Sequence, residues 1–152
     1  MIRSAFIHSL LGIRGCTQKW IKELLIGRSQ QVVVNGKYSG LTEVTSGVPQ
    51  GSVLGPLLFL CYINDITQNM SSTVRLYADD TLIYRAVHSE ADIIALQSDL
   101  NTIMKWAEDW QMSFNPKKTE FLRITNKHNY ISSSYCLQSS YIDKNLKLVK
   151  AC

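Results

Sequence analysis

Between Ile93 and Trp110 the apolar residues Ile93, Leu96, Leu100, Ile103, Ala107 and Trp110 recur at alternating three- and four-residue steps. That spacing turns one helical face toward a core. Ser89 precedes the run as a cap, and Asp92 stands three residues later, an approximate capping box. Immediately upstream, residues 74–77 and 81–85 favour strands on either side of the polar pair Asp79-Asp80. A hairpin that feeds into a long amphipathic helix restricts the chain to the α+β class. The expected arrangement is an antiparallel sheet bearing the Asp79-Asp80 turn, packed on helices near residues 54–69 and 89–110.

The N-terminal half repeats these ingredients. Ile2, Phe6, Ile7, Leu10 and Leu11 read as the end of a helix that stops at the Gly12–Gly15 break. Thr17 is a plausible cap for a second helix carrying Trp20, Ile21, Leu24 and Leu25, which ends near Gly27. Residues 30–34 are strand-like, Asn35-Gly36 is a hairpin turn signal, and residues 41–45 return as the partner strand. A glycine- and proline-punctuated loop, 46–52, then opens into an apolar helix expected to be largely buried, with Pro56 in its first turn. After the long helix, Asn115-Pro116 marks a turn and Glu120 begins a strand. Beyond Asn126 the periodicity fades and serines cluster, and between Lys117 and Lys150 seven Lys or Arg stand against Glu120 and Asp143.

A chain of 152 residues that is 45% apolar and 18% charged has enough material for a packed core and is not compositionally disordered. The net charge of +4 is compatible with an anionic partner without establishing one. The four cysteines, Cys16, Cys61, Cys136 and Cys152, form no CxxC knuckle. No secretory leader is evident, so free thiols and an intracellular, non-secreted location are expected. The longest apolar run, residues 53–63, contains Gly55 and Pro56 and is far short of the roughly 20 residues a bilayer span requires. A membrane partner is therefore not expected.

The chemistry centres on Tyr77-Ala78-Asp79-Asp80. At a hairpin tip, adjacent carboxylates can both come forward, where a hard divalent cation such as Mg2+ would offset their repulsion. A solvated turn accounts for the same dipeptide, since aspartate is common in turns. Upstream, SGVPQGSVLGPLLF offers a backbone that can approach a ligand closely at its glycines. An ordinary strand-to-helix connector would have a similar composition. His8, His88 and His128 are isolated and suit surface or packing roles. Trp106 and Trp110 at helical spacing suit the core, and Asp65 suits capping.

Taken together, SGVPQGSVLGPLLFLCYINDI and VRLYADDTLIYR resemble the reverse transcriptases of non-LTR retrotransposons, most of all the jockey-type elements. The flanks WIKELLIGRSQQVVVNG and LQSDL…WAEDWQMSFNPKKTEFLRI agree with this, in collinear order over about residues 10–125. The resemblance implies an incomplete polymerase palm over residues 1–125, followed by a basic, loosely ordered tail over 126–152. It implies that Asp79 and Asp80 are catalytic carboxylates of a two-metal Mg2+ site, with Asp79 the stronger ligand. Lys118 would assist the departing pyrophosphate. Pro49, Gln50 and Gly51 would line the template and incoming nucleotide, and Tyr77 would stand beside the primer terminus.

The implied function is RNA-templated DNA synthesis, with an RNA template, a DNA primer and deoxynucleotides as partners. The family places a further aspartate on a strand upstream of the Gly12–Gly15 break, and before Asp65 the acidic residues here are Glu23 and Glu43. The expectation is therefore that this chain alone is inactive, and that one edge of the sheet is left unpaired and prone to self-association. Two other readings are a noncatalytic nucleic-acid-binding module and a retroelement-derived interaction surface.

Overall fold

The computed structural model describes residues 12–126, 128–138 and 143–150, and for 143–145 and 147–150 it describes the backbone alone. The expected helical end over residues 2–11 lies outside them. The chain divides into two compact units, one ending at Asp65 and the other beginning at Ile66.

The first unit contains α1 (Gly15–Leu25), four short strands and α2 (Leu54–Ile63). Helix α1 starts two residues before Thr17, with Arg14 at the cap position and no side-chain cap bond. Thr17 is thus inside the first turn rather than capping it. Ile21 is the buried residue of α1, whereas Trp20 is 55% exposed.

The strand expected over 30–34 is split into β1 (Arg28–Gln30) and β2 (Val33–Val34). Strand β2 pairs with β3 (Lys37–Tyr38) across Asn35-Gly36, and β1 pairs with β4 (Thr42–Val44). Asn35 and Gly36 both have positive φ, 51° and 73°, as a two-residue type I′ turn requires. Between the two ladders Ser39 fills the gap. Its N–H donates to the Val32 carbonyl at 2.9 Å, and its hydroxyl accepts the Val32 N–H at 3.0 Å.

Helix α2 ends at Ile63, not near Asn69; turns follow. It is apolar all round, yet only Gly55, Leu58, Tyr62 and Ile63 are buried, while Leu57 and Leu60 are exposed. The spacing of 55, 58 and 62 turns a single face inward, so the expectation of a largely buried helix is corrected.

The second unit opens with the hairpin β5 (Thr73–Tyr77) and β6 (Asp80–Tyr84), followed by α3 (Glu90–Asp109) and β7 (Glu120–Arg123). Of the predicted stripe, Leu96, Ile103 and Ala107 are buried and Ile93, Leu100 and Trp110 half-buried, and Met104 is buried beside them. Where the sequence predicts a loosely ordered stretch after residue 125, there are β8 (Cys136–Gln138), β9 (Asp143–Asn145) and β10 (Lys147–Lys150). Tyr135 and Leu137 are buried, the Tyr135 ring meets Phe121 edge-on at 4.8 Å, and Gln97 of α3 exchanges hydrogen bonds with the Cys136 backbone.

Among the described residues the strands form five two-stranded ladders rather than one sheet. Four are antiparallel, and β7–β10 is parallel. The α+β class holds.

The capping box is present at the start of α3. The Asp92 carboxylate accepts the N–H groups of His88 and Ser89 at 3.1 Å each and the Ser89 hydroxyl at 2.9 Å. These donors, led by the His88 N–H, bring Asp92 from 3.8 down to about 2. Burial alone would raise the pKa of Asp99, but hydrogen bonds from Ser71 and Ser72 outweigh it, and Asp99 too lies below the usual carboxylate range. A folded-state pKa below the unfolded one contributes stability that is complete above the unfolded value and is lost as pH falls through the folded one. Thermal midpoints should therefore fall between about pH 4 and about pH 2 as these groups protonate. Asp92→Asn should flatten that acid limb in a pH series of melting curves; an unchanged slope would refute the assignment.

Candidate active site

The β5–β6 register runs from Thr73↔Tyr84 to Tyr77↔Asp80, which leaves Ala78 and Asp79 as a two-residue loop. Asp79 thus sits in the tip and Asp80 opens the return strand. Both therefore stand at or beside the tip, as expected from the strand propensity on either side of the pair. Tyr77 and Asp80 lie directly opposite each other on one face, with Tyr77 83% exposed. Alternation along both strands half-buries Val74, Leu76, Thr81 and Ile83, while Arg75, Tyr77, Leu82 and Tyr84 are exposed.

The side chains of Asp79 and Asp80 are exposed and make no hydrogen bond or ion pair among the described residues. Their oxygens are therefore free for a hard cation, and the residue types fit Mg2+, which takes one or two carboxylates and fills its other positions with water and phosphate oxygens. Among the described residues, no group of three or more His, Cys, Asp or Glu is gathered to hold a metal.

Ala78 has φ 52°, the left-handed region that glycine enters most easily. With positive φ at only the first of two loop residues, the turn asks for glycine there. Ala78→Gly should stabilise the protein by about 0.5–1 kcal/mol by removing this strain. A lower melting temperature in the variant would show that the alanine methyl has a packing role.

Pro49, Gln50 and Gly51 belong to the first unit, in a loop tied at both ends. At its start, half-buried Arg28 donates from Nη2 to the Gly47 carbonyl at 2.6 Å and the Ser46 carbonyl at 3.3 Å, and from Nε to the Leu25 carbonyl at 3.1 Å. At its end, the Ser52 hydroxyl donates to the Pro49 carbonyl at 2.7 Å and accepts the Gly55 N–H at 3.0 Å. A Cβ on Gly55 would come within 2.7 Å of the Pro49 oxygen, so only glycine permits this closure. Pro49 is half-buried, whereas Gln50 and Gly51 face solvent. Lys118 is exposed in the turn before β7, where its N–H donates to the Asn115 carbonyl at 3.1 Å.

Two residues that sequence reasoning missed support these segments. Arg28 carried no signal, because its acceptors are main-chain carbonyls 18 and 19 residues away. Asp99 did carry one. A carboxylate at 99 shares the inward face with Leu96 and Ile103, a position where a charge calls for a partner. It accepts hydrogen bonds from Ser71 and Ser72, just ahead of β5.

Comparison with known proteins shows the family. The family described as reverse transcriptase (RNA-dependent DNA polymerase) matches residues 4–139. The RNA-directed DNA polymerase from mobile element jockey of Drosophila melanogaster is 32% identical over 116 residues, covering 70% of this chain and 13% of that protein. The probable RNA-directed DNA polymerase from transposon X-element of the same fly is 34% identical over 115 residues, 70% of this chain and 12% of the relative. That from transposon BS is 33% identical over 108 residues, 65% of this chain and 12% of the relative. The chain thus spans about one eighth of the length of these relatives. No solved structure matches it. A family match extending over most of the chain and through both acidic and glycine-rich motifs leaves one conclusion: the chain belongs to the reverse transcriptase family, and within it resembles the jockey-like elements of non-LTR retrotransposons.

Proposed function

We propose that this chain is the palm portion of an RNA-directed DNA polymerase and carries two of the carboxylates that hold its catalytic Mg2+. The observation that carries this reading is the β5–β6 tip, where Asp79 and Asp80 are exposed and unpaired beside exposed Tyr77. Bound Mg2+ would supply the positive charge that activates a primer hydroxyl and stabilises a leaving phosphate oxygen. Asp79 and Asp80 would hold the cations, with Asp79 the principal ligand. Tyr77 offers an aromatic surface to the primer end. Gln50 and Gly51 present polar backbone and side-chain groups to template and nucleotide from a loop that Arg28 and Ser52 stiffen. Lys118 supplies positive charge for the pyrophosphate.

The partners are an RNA template, a DNA primer and deoxynucleotides. Free Cys16, Cys61 and Cys136 support an intracellular setting. No helix among the described residues is long and apolar enough to cross a membrane.

Primer extension on an RNA template, with protein expressed from the whole coding frame, tests the reading. Mg2+-dependent extension is the expected result. Salt-sensitive binding to primer–template without extension would identify a noncatalytic nucleic-acid module instead. Stable capture of another protein with no nucleic-acid affinity would identify an interaction surface.

The outer edges of β5 and β6 carry no partner strand among the described residues. Such edges recruit further strands, so the 152-residue chain by itself should self-associate. Light scattering across a concentration series checks this, and a monomer at every concentration would refute it.

A further inference from the structure

The hairpin that carries Tyr77, Asp79 and Asp80 is held at its base. Asp99, midway along α3, is only 4% exposed. Its Oδ1 accepts the Ser71 N–H at 3.0 Å; its Oδ2 accepts the Ser72 N–H at 2.7 Å and the Ser71 hydroxyl at 3.0 Å. The Ser71 oxygen in turn accepts Arg85 Nη1 at 2.9 Å, and Arg85 Nε reaches Asp92 Oδ1 at 3.3 Å. Ser71 and Ser72 immediately precede β5, and Arg85 immediately follows β6. One polar cluster therefore joins both ends of the hairpin to each other. It also fastens them to α3 at two points, Asp92 and Asp99, two turns apart on one face.

A buried carboxylate is a costly way to fill a helix face, since an apolar side chain would pack there without desolvation. What an apolar side chain lacks is acceptors for the two N–H groups at the mouth of the hairpin. We propose that Asp99 is a positioning residue: through Ser71, Ser72 and Arg85 it fixes where the Asp79–Asp80 tip stands relative to α3. Its consequence for nucleotidyl transfer rests on the function proposed above. Asp99 itself touches no reactant, because the tip is about 17 Å away at the usual rise of a strand. That length acts as a lever. A tilt of about 5° at the base moves such a tip by about 1.5 Å, and misplacement of about 1 Å can cost on the order of 10²-fold in rate.

Distance measurements by double electron–electron resonance test the placement in the 152-residue chain. Spin labels would be attached at Ala78→Cys and Lys105→Cys, with the native cysteines replaced by alanine. The parent should give one narrow distance distribution. Asp99→Asn, which sets an amide N–H against a backbone N–H, should broaden it by several ångströms, as expected from the strand's length. Ile103→Ala, destabilising but removing no group of the polar cluster, should leave it narrow at temperatures where the protein is folded. Ser71→Ala, which deletes only the link from Asp99 to Arg85, should broaden it less. A parental distribution in Asp99→Asn overturns the proposal. If that variant does not fold, a parental distribution in Ser71→Ala overturns it.

In the primer-extending protein, Asp99→Asn should lower kcat on the order of tenfold with the KM for primer–template unchanged. An unchanged kcat would overturn the catalytic consequence. A protein with a fixed tip that never extends a primer would sink the proposed activity while upholding the placement.

Discussion

Replacing Asp79 with Asn should reduce primer extension on the order of 10²–10³-fold in any protein that carries this segment and extends a primer. The substitution preserves size and the hairpin turn but removes the charge that would hold a cation. Because Asp79 is in the exposed loop and bonds to nothing among the described residues, folding should be untouched. Asp80→Asn should show a smaller loss if, as the family resemblance implies, Asp79 is the stronger ligand. Primer–template affinity should change little in either variant, so the effect belongs in kcat. The 152-residue chain by itself should extend no primer above background, for the two carboxylates have no third acidic or metal-binding partner among the described residues. Clear extension by that chain, abolished by Asp79→Asn, would mean that two carboxylates suffice. Equal rates for Asp79→Asn and the parent would remove Asp79 from the reaction.

Ile103→Ala should be the most damaging single truncation in α3. Ile103 is 2% exposed, beside Met104 and Ala107 at 3% and 1%. Deleting its outer atoms removes apolar burial and leaves a cavity, costing about 2–5 kcal/mol. Domains are stable by only about 5–15 kcal/mol, so a large part of the margin disappears. For a unit of this size the melting temperature should drop by roughly 8–40 °C. Ile94→Ala on the same helix is the control. Ile94 is 69% exposed, and its replacement should stay within about 0.5 kcal/mol of the parent. Calorimetry on both variants decides the matter. Equal shifts at the two positions would show that the buried stripe is not what holds the unit together.

The amino-acid sequence by itself determined whatever depends on neighbours a few residues apart. The Ile93–Trp110 stripe, the Ser89–Asp92 capping box, the Asn35-Gly36 turn and the two strands around Asp79-Asp80 all follow from local periodicity, capping and turn chemistry. The motif order from the Val48–Gly51 loop through Asp79-Asp80 to Lys118 was enough to show the family. Small errors came at boundaries. Thr17 was read as a cap because threonine caps helices, but α1 starts earlier, at Gly15. The split of the 30–34 strand depends on Ser39, which bonds Val32 from seven residues away.

Only the tertiary structure decided the rest. The two hydrogen bonds from Ser71 to Asp99 span 28 residues, the shorter Arg28 bond to the loop spans 19, and the parallel β7–β10 ladder joins segments more than twenty residues apart. The composition after Thr125 is polar, and that Tyr135 and Leu137 within it are buried could not be read from it. Helix α2 looked buried because every turn is apolar, but its contacts cover one face only. Local propensity is a property of a short window of chain. Which distant carbonyl an arginine meets, or which serine satisfies a buried aspartate, depends on how whole elements pack. It is this packing that sets where the Asp79–Asp80 tip stands.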